Sequence, residues 1–193
     1  PEFWWALMFT FFFYFKLGIA PAPLGVLDPL MIPPDKITGF ILIDSLLTGR
    51  FDAFINALWH LWLPIMTLAF ILSGPIIKMT RQSMSRVLSS EFILYSRASG
   101  LSRKQIARST LRASLPPVLT LTGILFGFML GGAVLIEQVF SLNGLGSYSV
   151  RAVLNLDYPA IQGTVLVITI ISLLVYLILD LVLVFTDPRV KAQ

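Results

Sequence analysis

The chain has 193 residues, 56% of them hydrophobic and only 12% charged, with a mean hydropathy of +0.86. An average soluble domain carries about 25% charged residues, so this chain cannot cover itself in water, which excludes a cytosolic enzyme, a secreted disulfide scaffold and a disordered tail. It reads as an all-α integral membrane protein, a polytopic bundle of about four transmembrane helices in one domain, residues 1–193.

A helix crossing about 30 Å of hydrocarbon needs roughly 20 predominantly apolar residues. The chain opens at Pro1 directly in an apolar run, with no initiator Met, basic leader or cleavage site. It therefore reads as starting inside a larger protein, truncated at the N-terminus. The first expected span covers residues 3–20, interrupted only by Lys16, which can snorkel near a helix end. Residues 21–56 are rich in proline and glycine and read as a turn-dense loop. The second span, 58–77, starts near His60, Trp59 and Trp62 and contains Pro64 and Pro75, which membrane helices tolerate. His60 reads as an interface anchor beside the two tryptophans. The third span, 118–136, has no charge, and the fourth, 160–185, carries Asp180.

Net charge is +4, but it is unevenly distributed. Between Lys78 and Arg112 stand eight basic residues and one acid, Glu91. The loop 21–56 holds Lys36 and Arg50 against Asp28, Asp35, Asp44 and Asp52, and residues 138–158 balance Arg151 with Asp157. The positive-inside rule then places residues 79–115 and the tail, with Arg189 and Lys191, in the cytoplasm and the other two loops outside. Without cysteine and with a single histidine, no disulfide, metal site or cofactor is expected, and nothing calls for nucleic acid.

The cytoplasmic stretch 89–117 reads as helix, turn, helix. Gly100 supplies a left-handed cap to the first helix. Ser102 with Gln105 three residues on is a capping-box start for the second, and Pro116 and Pro117 are expected to end it. Lys104, Arg108 and Arg112 form one basic stripe at i, i+4, i+8, and Ile106, Thr110 and Ala113 a modest apolar side. Like charges so spaced destabilise a helix slightly, so an acidic neighbour is expected. Lipid headgroups and a partner protein both fit the stripe; the compact knob favours the protein.

These residues carry a family resemblance. The run from Thr80 through Gly100 to Pro117 resembles the cytoplasmic "EAA" loop of bacterial ABC-importer permeases, most closely the dipeptide/oligopeptide/nickel branch. His60-Leu61-Trp62-Leu63-Pro64 is similar to the family's H-L-x-L-P, Ile136-Glu137 with Gly144-Leu145-Gly146 to its I-E…G-(I/L)-G, Asp157-Tyr158-Pro159 to its D-Y-P and Asp187-Pro188-Arg189 to its terminal D-P-R. One departure is that the eponymous Glu-Ala-Ala stands here as Leu94-Tyr95-Ser96. The resemblance implies a type I importer permease without chemistry of its own, resident in a bacterial or archaeal inner membrane. It would pair with a second, homologous permease subunit, two ATPase subunits and an extracytoplasmic substrate-binding protein. Glu91, Arg97, Ala98, Gly100, Leu101, Ser102, Lys104 and Arg108 would form the ATPase-coupling loop. Short peptides are the first expectation for substrate, then nickel chelates, glutathione or sugars.

Gly123, Gly127 and Gly131 recur every fourth residue in the third span and predict a flat face for close helix packing or sliding. Glu137, with Gly144 and Gly146, is a candidate outer gate, because charge at a span's end usually faces protein or water. The alternatives are a structural subunit of a membrane complex, which would not need the Gly100 knob, and a secondary transporter, which would show paired broken helices and midplane charges.

Overall fold

The computed structural model describes residues 1–186. The expected tail, with Arg189, Lys191 and the Asp187-Pro188-Arg189 motif, lies outside the described residues. Within them, all regular structure is helical. In order come α1 (Glu2–Phe9), continued by a π-helical stretch (Thr10–Lys16), α2 (Ile41–Leu47), α3 (Phe51–Leu88), α4 (Glu91–Ala98), α5 (Arg103–Phe140), α6 (Leu145–Leu154) and α7 (Tyr158–Thr186).

Among the described residues three helical segments are long and apolar enough to cross a membrane: Phe51–Leu88, Arg103–Gly131 and Tyr158–Phe185. The first expected span, 3–20, is helical only from Glu2 to Lys16. Helices α3 and α5 each have 38 residues, about 57 Å at 1.5 Å per residue, well beyond a 30 Å hydrocarbon core. The basic residues at 78–86 and 103–112 occupy this excess length.

Pro116 and Pro117, expected from sequence to end a helix, do not; α5 runs through both. Each proline removes one amide donor and leaves the carbonyls of Arg112 and Ala113 without their usual i+4 partner. Side-chain hydroxyls support the same turns: Ser114 Oγ donates to the Leu111 carbonyl at 2.9 Å and Thr120 Oγ1 to that of Pro116 at 3.1 Å. This is the setting in which apolar helices carry prolines.

The chain divides into two compact units. Unit 1 comprises Pro1–Ile71 and Met129–Thr164. Its core is Ala6, Ala20, Leu63, Ile136 and Phe140, flanked by Phe9, Phe13 and Trp62. Aromatic edges meet around it, with Trp5 and Phe70 centroids 4.6 Å apart and Phe13 and Trp62 5.5 Å apart, geometries that favour the ring quadrupoles. His60 is buried in this unit: it is 7% exposed, and its Nδ1 lies 2.9 Å from the Asn56 carbonyl. A carbonyl can only accept, so Nδ1 carries the proton.

The long loop of unit 1 is tied by its backbone. Asp28 N donates to Asn56 Oδ1 at 3.0 Å and Gly25 N to the Phe140 carbonyl at 3.1 Å. Gly25 has φ +115°, a region side chains resist. Asp44, 2% exposed, accepts from the hydroxyl and amide of Thr38, both at 2.7 Å, and from the Gly39 amide at 3.0 Å. The Thr38 hydroxyl, seconded by these amides against the opposing effect of burial, holds the Asp44 carboxyl below its ordinary value.

Unit 2 comprises Leu72–Phe128 and the described residues from Val165. Its buried positions are mostly small and polar: Ser83, Ser96, Thr110 and Ser114, with Ile93 the buried apolar residue. Ser83 Oγ on α3 donates to the Ser114 carbonyl on α5 at 3.0 Å. A Cβ at Gly123 would lie 3.1 Å from Leu179 Cδ1, and one at Gly127 2.9 Å from Tyr176 Oη, both on α7. A Cβ at Gly131, the third glycine of the expected face, would have nothing within 4 Å.

Candidate functional site

The helix-turn-helix at Gly100 is built by local hydrogen bonds. Helix α4 ends with Gly100 at φ +77°. The Gly100 amide donates to the Arg97 carbonyl at 3.0 Å and the Leu101 amide to that of Ser96 at 3.2 Å. This pair of bonds satisfies two of the carbonyls that a helix end leaves open, and it requires the left-handed residue that only glycine adopts without strain. Two residues later the second helix starts in a reciprocal cap. The Ser102 amide donates to Gln105 Oε1 at 2.9 Å, and the Gln105 amide to Ser102 Oγ at 3.4 Å.

The knob presents charge and apolar surface together. Glu91, Arg97, Ala98, Gly100, Leu101, Ser102, Lys104 and Arg108 are all exposed. So are Leu94 and Tyr95, at 63% and 75%, and Phe92 at 53%. Glu91 sits in the first turn of α4, where the helix dipole favours an acid. A cavity of about 590 Å³ lies between Leu88, Arg97, Leu101, Arg103, Ile106 and Ala107. Arg112, third in the basic stripe, points its Nη2 at the Phe185 carbonyl near the end of α7, 3.4 Å away. The buried side of α5 is Thr110 and Ser114, not Ala113, which is exposed. An i, i+4 pair lies on one face, whereas position 113 is turned away from 114 by one residue's rotation.

A second constellation lies in unit 1. Glu137 Oε1 accepts from the Gly146 amide at 3.3 Å and Oε2 from the Ser147 amide at 2.7 Å. These are orphan donors of the first turn of α6, whose cap residue Gly144 supplies no side chain. The carboxylate from α5 thus serves as the cap and meets the positive end of the helix dipole. The two glycines make room for it: a Cβ at Gly144 would lie 2.5 Å from Oε1, and one at Gly146 2.9 Å from Val134 Cα. Sequence grouped these three residues; it did not show α6. Asp180 is exposed on α7.

Sequence reasoning passed over Ser83, Ser114 and Asp44. The legible signal for Ser114 was a hydroxyl at each of Thr110 and Ser114, one helical turn apart, and nothing local marked Ser83. For Asp44 it was the Thr-Gly pair five and six residues before an acid, a backbone-capping pattern.

Residues 1–192 match the family described as binding-protein-dependent transport system inner membrane component. The chain is 40% identical over 191 residues to a probable D,D-dipeptide transport system permease protein of Escherichia coli (strain K12), covering 98% of this chain and 56% of the relative. It is 37% identical over 194 residues to a di/tripeptide transport system permease protein of Pseudomonas aeruginosa (strain UCBPP-PA14), covering 100% of this chain and 57% of the relative. A peptide transport system permease protein of Salmonella typhimurium (strain LT2) is 34% identical over 192 residues, 97% of this chain and 59% of its own. The chain thus spans somewhat over half the length of these relatives.

Proposed function

The chain belongs to the family of binding-protein-dependent transport system inner membrane components, and we propose that it forms part of the translocation path of an ABC importer for short peptides. The relatives' names supply the substrate class. In this reading the chain catalyses nothing; ATP is hydrolysed by two partner subunits, a second permease completes the path and an extracytoplasmic protein delivers the peptide.

The observation that carries the reading is the knob. Its turn is fixed by a left-handed glycine and a reciprocal cap, so it is stiff enough to act as a lever. It exposes Leu94 and Tyr95 together with Arg97 and Lys104 on one compact, preformed turn, which gives it the shape to enter a protein groove. Closure of the ATPase dimer would move this lever and, through the continuous helix α5, the spans above it. At the other end Glu137, seated on the first turn of α6, would act as a latch whose release frees α6 as the outer gate opens.

The test is co-purification of the ATPase subunits with Gly100→Val and Arg108→Gln variants, together with peptide uptake. Gly100→Val places a β-branched residue at φ +77°, where its penalty is large, and should abolish docking while membrane insertion persists. Arg108→Gln leaves the turn intact and should weaken docking only modestly. Normal ATPase association in Gly100→Val would overturn the coupling role. Orientation is tested by cysteines at Ser102 and Lys36, both exposed: impermeant reagents should reach the first only from the cytoplasm and the second only from outside.

A further inference from the structure

Helix α3 carries a second basic feature that the knob does not use. A groove of about 850 Å³ runs along its exposed side, opening at Gly74 and lined by Ile77, Lys78, Arg81, Gln82, Ser85 and Arg86. It faces away from Ser83, the buried position through which α3 meets α5. Lys78, Arg81 and Arg86 make no ion pair among the described residues, where the one salt bridge is Arg50–Asp52. Three uncompensated cations with an amide and a hydroxyl between them form a set of donors for an anion with several oxygens.

Depth says which anion. Between Asp52 and Lys78 the helix holds no Asp, Glu, Lys or Arg, an uncharged length of about 37 Å at 1.5 Å per residue. That exceeds the hydrocarbon thickness slightly and sets Lys78 at the headgroup level. Side chains on a helix lean toward its N-terminus, here toward the bilayer, so Arg81, one turn on, reaches back to the same level, while Arg86, about 12 Å beyond Lys78, stands on the outer side of the headgroups. A second, largely apolar groove of about 560 Å³ adjoins the first, sharing Ile77, Arg81 and Ser85 and adding Ile76 and Met84. A ligand with its anionic group at Arg81 therefore has apolar surface directly beside it.

We propose that this face of α3 is a binding site for one anionic phospholipid of the cytoplasmic leaflet. Lys78 and Arg81 hold its phosphate, Gln82 and Ser85, farther from the bilayer along the helix, hydrogen-bond its polar headgroup, and Ile76 and Ile77 contact the start of an acyl chain. Free phosphate would satisfy the cations and leave the apolar half unused. The proposal rests on the inward orientation of the basic segment and is independent of which solute is carried.

The test uses the assembled permease in nanodiscs with Ile77→Trp as a local reporter, quenched by brominated phosphatidylglycerol or brominated phosphatidylcholine. The native tryptophans at 4, 5, 59 and 62 lie far along the chain from the groove and are subtracted with the unsubstituted protein. Quenching by the anionic lipid should reach half its maximum at a mole fraction at least tenfold lower than for the zwitterionic one. Lys78→Gln with Arg81→Gln should bring the two lipids to near parity, at roughly fivefold for each cation removed. Arg103→Gln with Arg108→Gln removes as many charges from the same segment and should leave the preference intact, and added inorganic phosphate should not displace the lipid. Equal quenching by both lipids, an equal loss in the control pair, displacement by phosphate, or cross-linking of Gln82→Cys to a partner protein in place of lipid quenching would each overturn the proposal.

Discussion

The two units of this chain solve the burial problem in opposite ways. Among the described residues nine apolar side chains are buried; eight lie in unit 1, and unit 2 contributes Ile93. Unit 1 is held by an aromatic and aliphatic core with long-range backbone ties. Unit 2 is held by hydroxyls, two glycines against α7 and a serine-to-carbonyl bond, and it leaves its cations and most of α7 exposed. An apolar helix with none of its most hydropathic window buried, as in α7, has to be covered by lipid or by other helices. The difference teaches that unit 1 has an apolar core of its own, whereas unit 2 has scarcely one; both leave large apolar side chains, such as Phe15 and Leu173, for lipid or other helices to cover.

The largest effect should come from emptying the core of unit 1. Leu63, 2% exposed, should cost about 3 kcal/mol on truncation to alanine. All four tryptophans lie in unit 1, so intrinsic fluorescence during thermal unfolding in detergent reads that unit. Leu63→Ala should lower its midpoint strongly and Ile93→Ala should leave it nearly unchanged; equal shifts would mean that the two units unfold as one and would erase the contrast. Next comes Gly146→Ala, whose methyl would meet Val134 Cα at 2.9 Å, an overlap with backbone that should cost about 2 kcal/mol. Gly131→Ala, with open space around it, should be neutral or slightly stabilising by the same fluorescence measurement.

In unit 2 the equivalent change acts through the backbone. Gly100→Ala meets nothing within 4 Å but must hold φ +77°, costing about 1 kcal/mol. Faster amide exchange at residues 99–105 with an unchanged tryptophan transition would confirm that this cost is conformational and local. The smallest effect concerns the loop of unit 1. Because the Asp44 carboxyl is held below its ordinary value, its contribution is complete above the ordinary aspartate range and is lost as pH falls through the depressed one. Exchange at residues 38–48, corrected for intrinsic rates, should therefore rise in acid, and Asp44→Asn should show the faster exchange already at neutral pH, without the acid step.

What the sequence determined by itself was whatever depends on composition or on neighbours a few residues apart. Half the usual charge dictated a membrane protein, and apolar runs placed the three helices that are long and apolar enough to cross a membrane. The turn at Gly100 and the Ser102–Gln105 cap were legible because every bond in them closes within five residues. The tertiary structure decided the rest. Glu137 caps α6 through amides nine and ten positions away, His60 is enclosed by the packing of unit 1, and Gly127 meets Tyr176 of α7 whereas Gly131 meets nothing. Pro116 and Pro117 illustrate the boundary between the two. Their local chemistry says stop, but α5 continues through them into an apolar span, where an interrupted helix would leave more backbone groups without partners than the two carbonyls the prolines release.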